Sequence, residues 1–196
     1  MPSRRITLIQ GHPDPAGGHL CHALAKAYAD GATMAGHELR TVRVAELNFP
    51  LLRTQADWDG GRLPEALAPA QQAIGWAQHL TLVFPLWLGD MPALLKGFLE
   101  QVARPGFAFH RQPDGKIGDK GLTGRSARVV VTMGMPSLVY RALFRAHGVR
   151  ALERNVLGFA GIAPIHETLV GNVGAFDQAR VDRWRRRMRQ LGRMGT

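Results

Sequence analysis

Five short apolar segments, separated by stretches with helical periodicity, limit the fold of this 196-residue chain more than any other feature. The segments are Arg5–Gln10, Leu39–Val44, Leu80–Phe84, Arg128–Met133 and Ala163–Val170. Strands that alternate with helices form a parallel sheet whose two faces are covered by those helices. We therefore predict an α/β fold with a five-stranded parallel sheet. Because no repeat or low-complexity linker interrupts the pattern, a single domain is expected over residues 1–196.

The segments between the strands carry helix and turn signals. Helices are predicted at 20–36, 64–78, 92–102, 138–159 (with a break at Gly148) and 177–191. Two irregular stretches, Asn48–Pro64 and Gly106–Gly124, are long for connections in a compact domain, which is typical of functional loops. Asp114-Gly115, inside the second stretch, predicts a hairpin turn.

Composition excludes several classes of protein. The longest apolar stretches are far shorter than the roughly 20 residues that a bilayer crossing needs. The apolar run that follows the basic N-terminus is too short for a signal peptide, so a cytoplasmic location is expected. With Cys21 as the only cysteine, an intramolecular disulfide and a cysteine-based metal cage are both excluded.

The formal net charge of +10 is concentrated in the last predicted helix. Residues 180–193 contain seven arginines and one acid, Asp182. A solvated basic helix face is the simplest interpretation. A peripheral contact with an anionic membrane is the sharper alternative. Nucleic acid is not expected as a partner, since aromatic side chains for base stacking are not interleaved with the arginines.

Three loops follow the predicted strands at their carboxyl ends, where parallel sheets bind ligands. The first, Gly11–Gly18, leads into a helix N-terminus, whose free N–H groups suit a phosphate. The second, Phe84–Pro92, is apolar and carries Trp87, which indicates a flat aromatic ligand. The third carries Thr132 and Gly134, which can present hydrogen-bond donors.

Together these loops offer a phosphate site, a flat apolar wall and a set of donors, as riboflavin phosphate and its isoalloxazine ring require. Each loop alone also has a plainer interpretation. The first can be a simple tight turn, and the second can cover the core or a subunit interface. Tyr140, which follows the third loop, can be a packed helix residue with a solvated hydroxyl.

Three blocks of this sequence resemble the flavodoxin-like NAD(P)H:quinone oxidoreductase family. They are Gly11–Pro15 with His22–Ala25, then Phe84–Phe98, then Pro105–Phe109. Bacterial members include modulators of drug activity and ancillary oxidoreductases of potassium-efflux systems. The resemblance implies non-covalent FMN, with FAD as the alternative. It also implies hydride transfer from NAD(P)H to a quinone-like acceptor, and a homodimer that completes each active site.

The resemblance also implies roles for individual residues. Tyr140 and His147 match the family's catalytic tyrosine and histidine. His19-Leu20-Cys21 replaces a Ser-Phe-Asn-like run that precedes the first helix in the family. Cofactor contacts are expected at His12, His19, Leu20, Cys21, Pro85, Leu86, Trp87, Leu88, Thr132, Met133 and Gly134. Trp58 and Phe107–Phe109 are the aromatic candidates for the dimer interface.

Other chemistries have weaker support in the sequence. His19 and His22 have metal-ligand spacing but no third ligand nearby, so no metal site is predicted. Cys21 lacks the flanking signatures of known thiol enzymes. A regulatory or electron-carrier flavoprotein, acting on a protein partner such as a potassium-efflux system, is the main alternative to an enzyme. The basic charge and the two long irregular stretches favour the enzyme.

Overall fold

A five-stranded parallel sheet forms the centre of the computed structural model, which describes residues 2–114 and 116–196. The strands are β1 (Arg5–Gln10), β2 (Glu38–Arg43), β3 (His79–Pro85), β4 (Phe109–Arg111), β5 (Ile117–Lys120), β6 (Ser126–Thr132) and β7 (Ile165–Val170). In the main sheet the order is β2-β1-β3-β6-β7, and every pairing is parallel. The predicted α/β sheet is confirmed. The order reverses between β1 and β3, which creates a switch point at their carboxyl ends.

All but one of the helices lie close to their predicted positions; the exception, at residues 55–60, falls within a stretch predicted to be irregular. They are α1 (Leu20–Met34), α2 (Gln55–Gly60), α3 (Ala68–Trp76), α4 (Ala93–Val102), α5 (Ser137–Ala142), α6 (His147–Ala151) and α7 (Gln178–Met194). Among the helices that the structure describes, none has both the length and the apolar character that a membrane crossing requires.

The helix predicted over 138–159 is interrupted earlier than expected. The break falls at Arg145 and Ala146 and not at Gly148, because both residues have a left-handed backbone with φ of 51°. The chain then continues through α6 into a π-helical segment, Leu152–Leu157.

Two buried apolar clusters cover the two faces of the sheet. On one face Ile6, Leu8 and Val130 pack against α1 and α7. On the other face Leu82 and Val129 pack against α3, α4 and the π-helical segment. Because strands covered on both faces have no polar face, their sequences are nearly continuous apolar runs. This explains why the strands are visible in the sequence.

The pairing of α1 with α7 depends on two glycines. A Cβ atom at Gly31 would overlap the carbonyl oxygen of Arg189, and one at Gly192 would overlap that of Tyr28. The two backbones therefore approach more closely than any larger residue allows. Met188 of α7, which packs in the same apolar cluster as α1, is completely buried. This contact holds the basic C-terminal helix on the body of the molecule.

The two long irregular stretches are anchored to the body of the chain. The first contains α2, which begins with a capping box formed by Thr54 and Asp57. The Arg104 guanidinium donates to the carbonyl of Asp57 at 2.9 Å. The second contains the antiparallel hairpin β4–β5. The predicted turn at Asp114-Gly115 falls between β4 and β5 in the sequence, but Gly115 lies outside the described residues.

The aromatic residues proposed for an interface pack within their own chain instead. Phe109 is buried against Phe159, with ring centroids 5.0 Å apart. Phe107 is half-buried and contacts Gly75. Trp58 is half-buried against the same core cluster. The expectation that Phe107–Phe109 form an exposed cluster is therefore wrong.

A buried histidine makes the stability of this fold dependent on pH. Burial, helped by nearby Arg4 and Arg128, lowers the pKa of His79 from 6.5 to about 3. Below pH 6.5 the unfolded chain binds a proton that the folded chain rejects. The contribution of His79 to the free energy of unfolding is therefore fully present above pH 6.5. It falls between pH 6.5 and about 3, by at most about 1.4 kcal/mol per pH unit.

We expect His79→Gln to flatten this pH dependence, measured as the free energy of unfolding by urea at several pH values. His110→Gln is the matched control, since His110 is an exposed histidine on the hairpin. Equal slopes for wild type and His79→Gln would contradict the assignment.

Candidate functional site

The loops after β1, β3 and β6 meet at the carboxyl edge of the sheet. The Gly11 N–H donates to the carbonyl of Val83 at 2.8 Å, and the Leu86 N–H donates to that of Thr132 at 2.8 Å. Each loop is thus bonded to the neighbouring strand. The three loops singled out in the sequence therefore do converge on one site.

The loop after β1 leads into the N-terminus of α1. Gly17 and Gly18 have φ of 81° and 79°, a left-handed backbone that favours glycine. His19 is the N-cap, and its side chain makes no capping hydrogen bond to the residues described. The N–H groups of Leu20 and Cys21, in the first helical turn, are thus available to an anion.

Three imidazole rings crowd beside this helix terminus. The ring centroids of His12 and His19 lie 4.0 Å apart and the rings are stacked. His22 lies 5.0 Å from His12 and 5.6 Å from His19. We call these residues the histidine cluster. Asp14 accepts from Nε2 of His19 at 2.7 Å, and both side chains are largely exposed.

The hydrogen bonds of His12 determine where its proton lies. Its Nδ1 accepts from the N–H of Asp14 at 3.1 Å, so the neutral ring carries its proton on Nε2. Only 7% of His12 is exposed. Burial and the positive charges that His19 and His22 can carry lower the pKa of His12. Burial, followed by the effect of His19, lowers the pKa of His22.

An anion beside the histidine cluster would reverse this electrostatic penalty, because it attracts the protonated rings that otherwise repel one another. A metal is less suited to the same place. Within residues 2–114 and 116–196, no group of three or more histidine, cysteine or acidic side chains is positioned to hold a metal ion.

A tight reverse turn follows β3. The N–H and carbonyl groups of Trp87 and Asp90 bond to each other at 2.8 and 3.0 Å. Leu88 and Gly89 both have positive φ, 49° and 84°, as a type I′ turn requires. A leucine in this conformation costs about 1–2 kcal/mol. The turn leaves Leu88 fully exposed, and such strain is typical of ligand-binding segments.

The side chain of Trp87 connects this turn to the histidine cluster. Its ring lies 6.2 Å from that of His12 in an edge-on arrangement, and 52% of the residue is exposed. Pro85 is buried below it and Leu86 is half-buried. An open apolar wall, made mainly by Trp87 and Leu88, thus stands next to the histidine cluster and the N-terminus of α1.

Tyr140 lies behind this wall and does not face the site. It is only 1% exposed, and its hydroxyl donates to the carbonyl of Gly89 at 3.1 Å and accepts from the N–H of Val149 at 3.3 Å. Burial raises the pKa of Tyr140 further above its ordinary range. The tyrosine therefore ties the turn to α6. At the start of α6, His147 is exposed.

The residues at the end of β6 are mostly occupied within the chain. The Thr132 hydroxyl and the Cys21 thiol lie 3.0 Å apart in the interior, and burial raises the pKa of Cys21 to about 11. The N–H of Met133 donates to Val170 at 2.9 Å. Gly134, in contrast, is exposed. Gly134 therefore has an exposed backbone that can contact a ligand. Cys21 can donate a hydrogen bond to a ligand through its backbone N–H, but its thiol is buried.

Sequence reasoning missed three members of the site. His22 stands out in the sequence only as part of a family block and by its metal-ligand spacing from His19, yet it completes the histidine cluster. Asp14 accepts from the N–H of Ala16 at 2.9 Å, as in an Asp-containing turn, and its carboxylate lies beside His19. Gly148 matters because a Cβ atom there would overlap the carbonyl oxygen of Gly89. The His-Gly pair at 147–148 carried a signal for this, but the contact itself joins distant parts of the chain.

A second depression lies away from the strand ends. It has a volume of about 460 Å³ and is lined mainly by α4, the stretch before α2 and the π-helical segment, including Trp58, Phe109 and Phe159. Lys96 and Glu100 at its edge bond to each other. It is separate from the histidine cluster and the Trp87 turn.

Comparison with known proteins identifies the fold family of this chain. A sequence profile of a family described by its flavodoxin-like fold matches residues 4–191. An uncharacterized NAD(P)H oxidoreductase of Escherichia coli, YcaK, is 27% identical over 192 residues, which covers 90% of this chain and 88% of the relative.

Two solved structures share the fold. An NAD(P)H:quinone oxidoreductase from Methanothermobacter marburgensis superposes with a TM-score of 0.81 and 22% identity, covering 98% of this chain and 96% of the other. An FMN-dependent NADH-azoreductase from Bacillus anthracis, solved in complex with FMN, gives a TM-score of 0.75 and 14% identity. That match covers 98% of this chain and 100% of the other. At these identities the two structures show the shared fold alone.

The contact between Gly148 and Gly89 gives a direct test of how the turn is held. We expect Gly148→Ala to displace the turn and to lower the free energy of unfolding by about 1–3 kcal/mol. Gly174→Ala is the matched control, because a Cβ atom there meets nothing within 4 Å. Chemical denaturation measures both variants, and equal stabilities would show that the turn is free to move.

Proposed function

Since the chain belongs to the family with the flavodoxin-like fold, we propose that it is a flavin-dependent oxidoreductase that passes hydride from NAD(P)H to a quinone-like acceptor. One observation carries the proposal. An anion-binding helix terminus lined by the histidine cluster stands directly beside an exposed, flat apolar wall. That combination matches a ligand with a phosphate at one end and an aromatic ring system at the other.

The residues present fit the phosphate of a flavin. The Nε2–H of His12 and the N–H groups of Leu20 and Cys21 are all donors at one place. His19 stacks on His12, with ring centroids 4.0 Å apart. FMN is favoured over FAD, which agrees with the FMN that the azoreductase from Bacillus anthracis holds.

The exposed wall fits the ring system. Trp87 and Leu88 would lie along one face of the isoalloxazine, while the exposed backbone of Gly134 would meet its polar edge. Pro85, Leu86, Thr132 and Met133 would support these groups from behind, since they are mostly buried or already bonded. The preformed turn means that little ordering is needed on binding.

A bound flavin supplies the hydride chemistry itself. The chain orients the reactants and handles the proton that a quinone needs to become a hydroquinone. We assign that proton to His147, an exposed imidazole beside the turn. Tyr140, assigned from the sequence as catalytic, becomes a positioning residue, because its hydroxyl already donates to Gly89.

A homodimer is part of the proposal. Large apolar side chains are exposed on and beside α5 and at the Trp87 turn, namely Leu88, Leu138, Val139, Leu143 and Phe144. Exposed patches of this kind mark interaction surfaces. A second copy that covers them would also wall the flavin. This surface replaces the interface expected from Phe107–Phe109.

The alternative is a regulatory or electron-carrier flavoprotein with a protein partner. A short local match supports it, since 67 residues are 40% identical to an ancillary protein of a potassium-efflux system from Yersinia enterocolitica, covering 33% of each chain. Steady-state oxidation of NAD(P)H with a soluble quinone separates the two, because a carrier turns over slowly without its partner.

We expect the purified protein to hold FMN tightly and without a covalent bond, identified by chromatography after denaturation. Loss of the Nε2 donor in His12→Gln should weaken FMN binding about ten-fold to a hundred-fold, as for a hydrogen bond to a charged group. His166→Gln, at an exposed histidine far from the site, should bind normally. A wild-type protein that cannot be reconstituted with FMN or FAD would refute the proposal.

The proton assignment predicts different effects for two neighbouring residues. His147→Gln should slow reoxidation of the reduced flavin by quinone about ten-fold to a hundred-fold and leave its reduction by NAD(P)H unchanged. Tyr140→Phe should weaken flavin binding several-fold, because the turn loses its hydroxyl anchor. Arg150→Gln, one turn after His147, is the control. Stopped-flow absorbance measures both half-reactions, and wild-type reoxidation in His147→Gln would remove His147 from the mechanism.

A further inference from the structure

The outward face of α7 carries a straight row of arginines. Arg186, Arg189 and Arg193 are separated by three and four residues, so they lie within about 60° of one another around the helix. We call them the arginine stripe. The opposite side of α7 bears the completely buried Met188 and the close contact of Gly192 with α1. The arginine stripe therefore lies on the solvent side of α7, with Arg186 and Arg193 exposed and Arg189 half-buried.

Almost nothing in the chain neutralises this row. Asp182 is the only acid of α7, and it lies one turn before the stripe, where it pairs with Arg185 at 3.5 Å. On α1, the helix packed against α7, Asp30 pairs with Lys26 at 3.0 Å. Residues 183–194 contain six arginines and no acid. The positive charge of the stripe is thus available to an external partner.

The stripe also has a shape that suits an anion. A shallow depression of about 420 Å³ is lined by the three stripe arginines together with Gln190 and Met194. Guanidinium groups bind phosphate through paired, charge-assisted hydrogen bonds. Several such groups around one concave surface are suited to phosphate groups rather than to a single small carboxylate.

We propose that the arginine stripe is a docking surface for a membrane of anionic phospholipids, whose headgroup phosphates occupy this depression. The stripe is about 10 Å long and straight, so all three arginines can contact a flat surface at once. Met194, at its end, is 38% exposed and offers an apolar contact. The docking does not depend on the flavin and goes beyond the proposed activity.

Nucleic acid fits this surface less well. Single-stranded nucleic acid binds through aromatic side chains on which its bases stack. The one aromatic residue of α7, Trp184, is half-buried, and the Arg187 guanidinium lies over its ring at 5.6 Å. A basic surface without accessible rings can contact phosphates only.

The position of the stripe leaves the candidate active site open. The Arg4 guanidinium donates to the carbonyl of Gly195 at 2.8 Å, and a ring nitrogen of His37 lies 3.1 Å from the carbonyl of Arg193. Arg4 immediately precedes β1. The end of α7 therefore lies at the amino edge of the sheet, whereas the site is at the carboxyl edge. A docked molecule keeps its site accessible.

The test is sedimentation of the holoprotein with vesicles of phosphatidylcholine, either alone or mixed with phosphatidylglycerol. We expect binding only to the mixed vesicles and loss of binding at about 0.5 M salt, where charges are screened within a few ångströms. The variant Arg186→Gln/Arg189→Gln/Arg193→Gln should bind roughly a hundred-fold more weakly, at about five-fold per arginine.

A matched control removes the same charge elsewhere, at the exposed Arg53, Arg62 and Arg154. It should keep most of the vesicle binding, and circular dichroism should show both triple variants to be folded. Three results would overturn the proposal. They are equal binding by the stripe variant, equal binding to vesicles of phosphatidylcholine alone, or preference for inorganic phosphate or duplex DNA over the mixed vesicles. Flavin content and turnover report separately on the proposed function.

Discussion

The burial of both faces of the parallel sheet is the constraint on which the rest of this structure depends. Since the central strands β1, β3 and β6 are buried on both sides, the connections between parallel strands cross a face through helices and return to the same edge. The loops after β1, β3 and β6 therefore meet at the carboxyl edge. The reversal of strand order between β1 and β3 opens a gap there, and a ligand site follows from the topology.

The chemistry of that site comes from crowding within one short loop. Left-handed backbone at Gly17 and Gly18 brings His19 back over His12, and α1 adds His22 one turn later. Three imidazoles at this separation resist protonation together. Burial and the neighbouring rings lower the pKa of His12 and of His22, and an anion would favour their protonated forms. The charge of a ligand bound at the free N–H groups of this helix is consequently coupled to the protonation of the histidines.

The opposite side of the site depends on a strained turn and on the contacts that hold it. Leu88 adopts a left-handed backbone that leucine disfavours, and the turn keeps it only because its surroundings are fixed. Those surroundings are the Tyr140 hydroxyl and the glycine at 148. A tyrosine that the sequence assigns to catalysis thereby acts on the shape of the wall. His147, beside it, is exposed to solvent.

The sequence by itself determined the class of fold, because apolar strands and amphipathic helices leave periodic patterns that need no knowledge of distant contacts. It also located the three strand-end loops, since turn residues such as Gly17 and Pro92 mark them locally. Only the tertiary structure decided which side chains face the site. Tyr140 turned inward, Phe109 packed on Phe159, and His22 joined His12, because each contact joins parts of the chain whose relative orientation is set by packing. The arginines of α7 were visible in the sequence, but their outward direction was fixed by the glycine contact between α7 and α1.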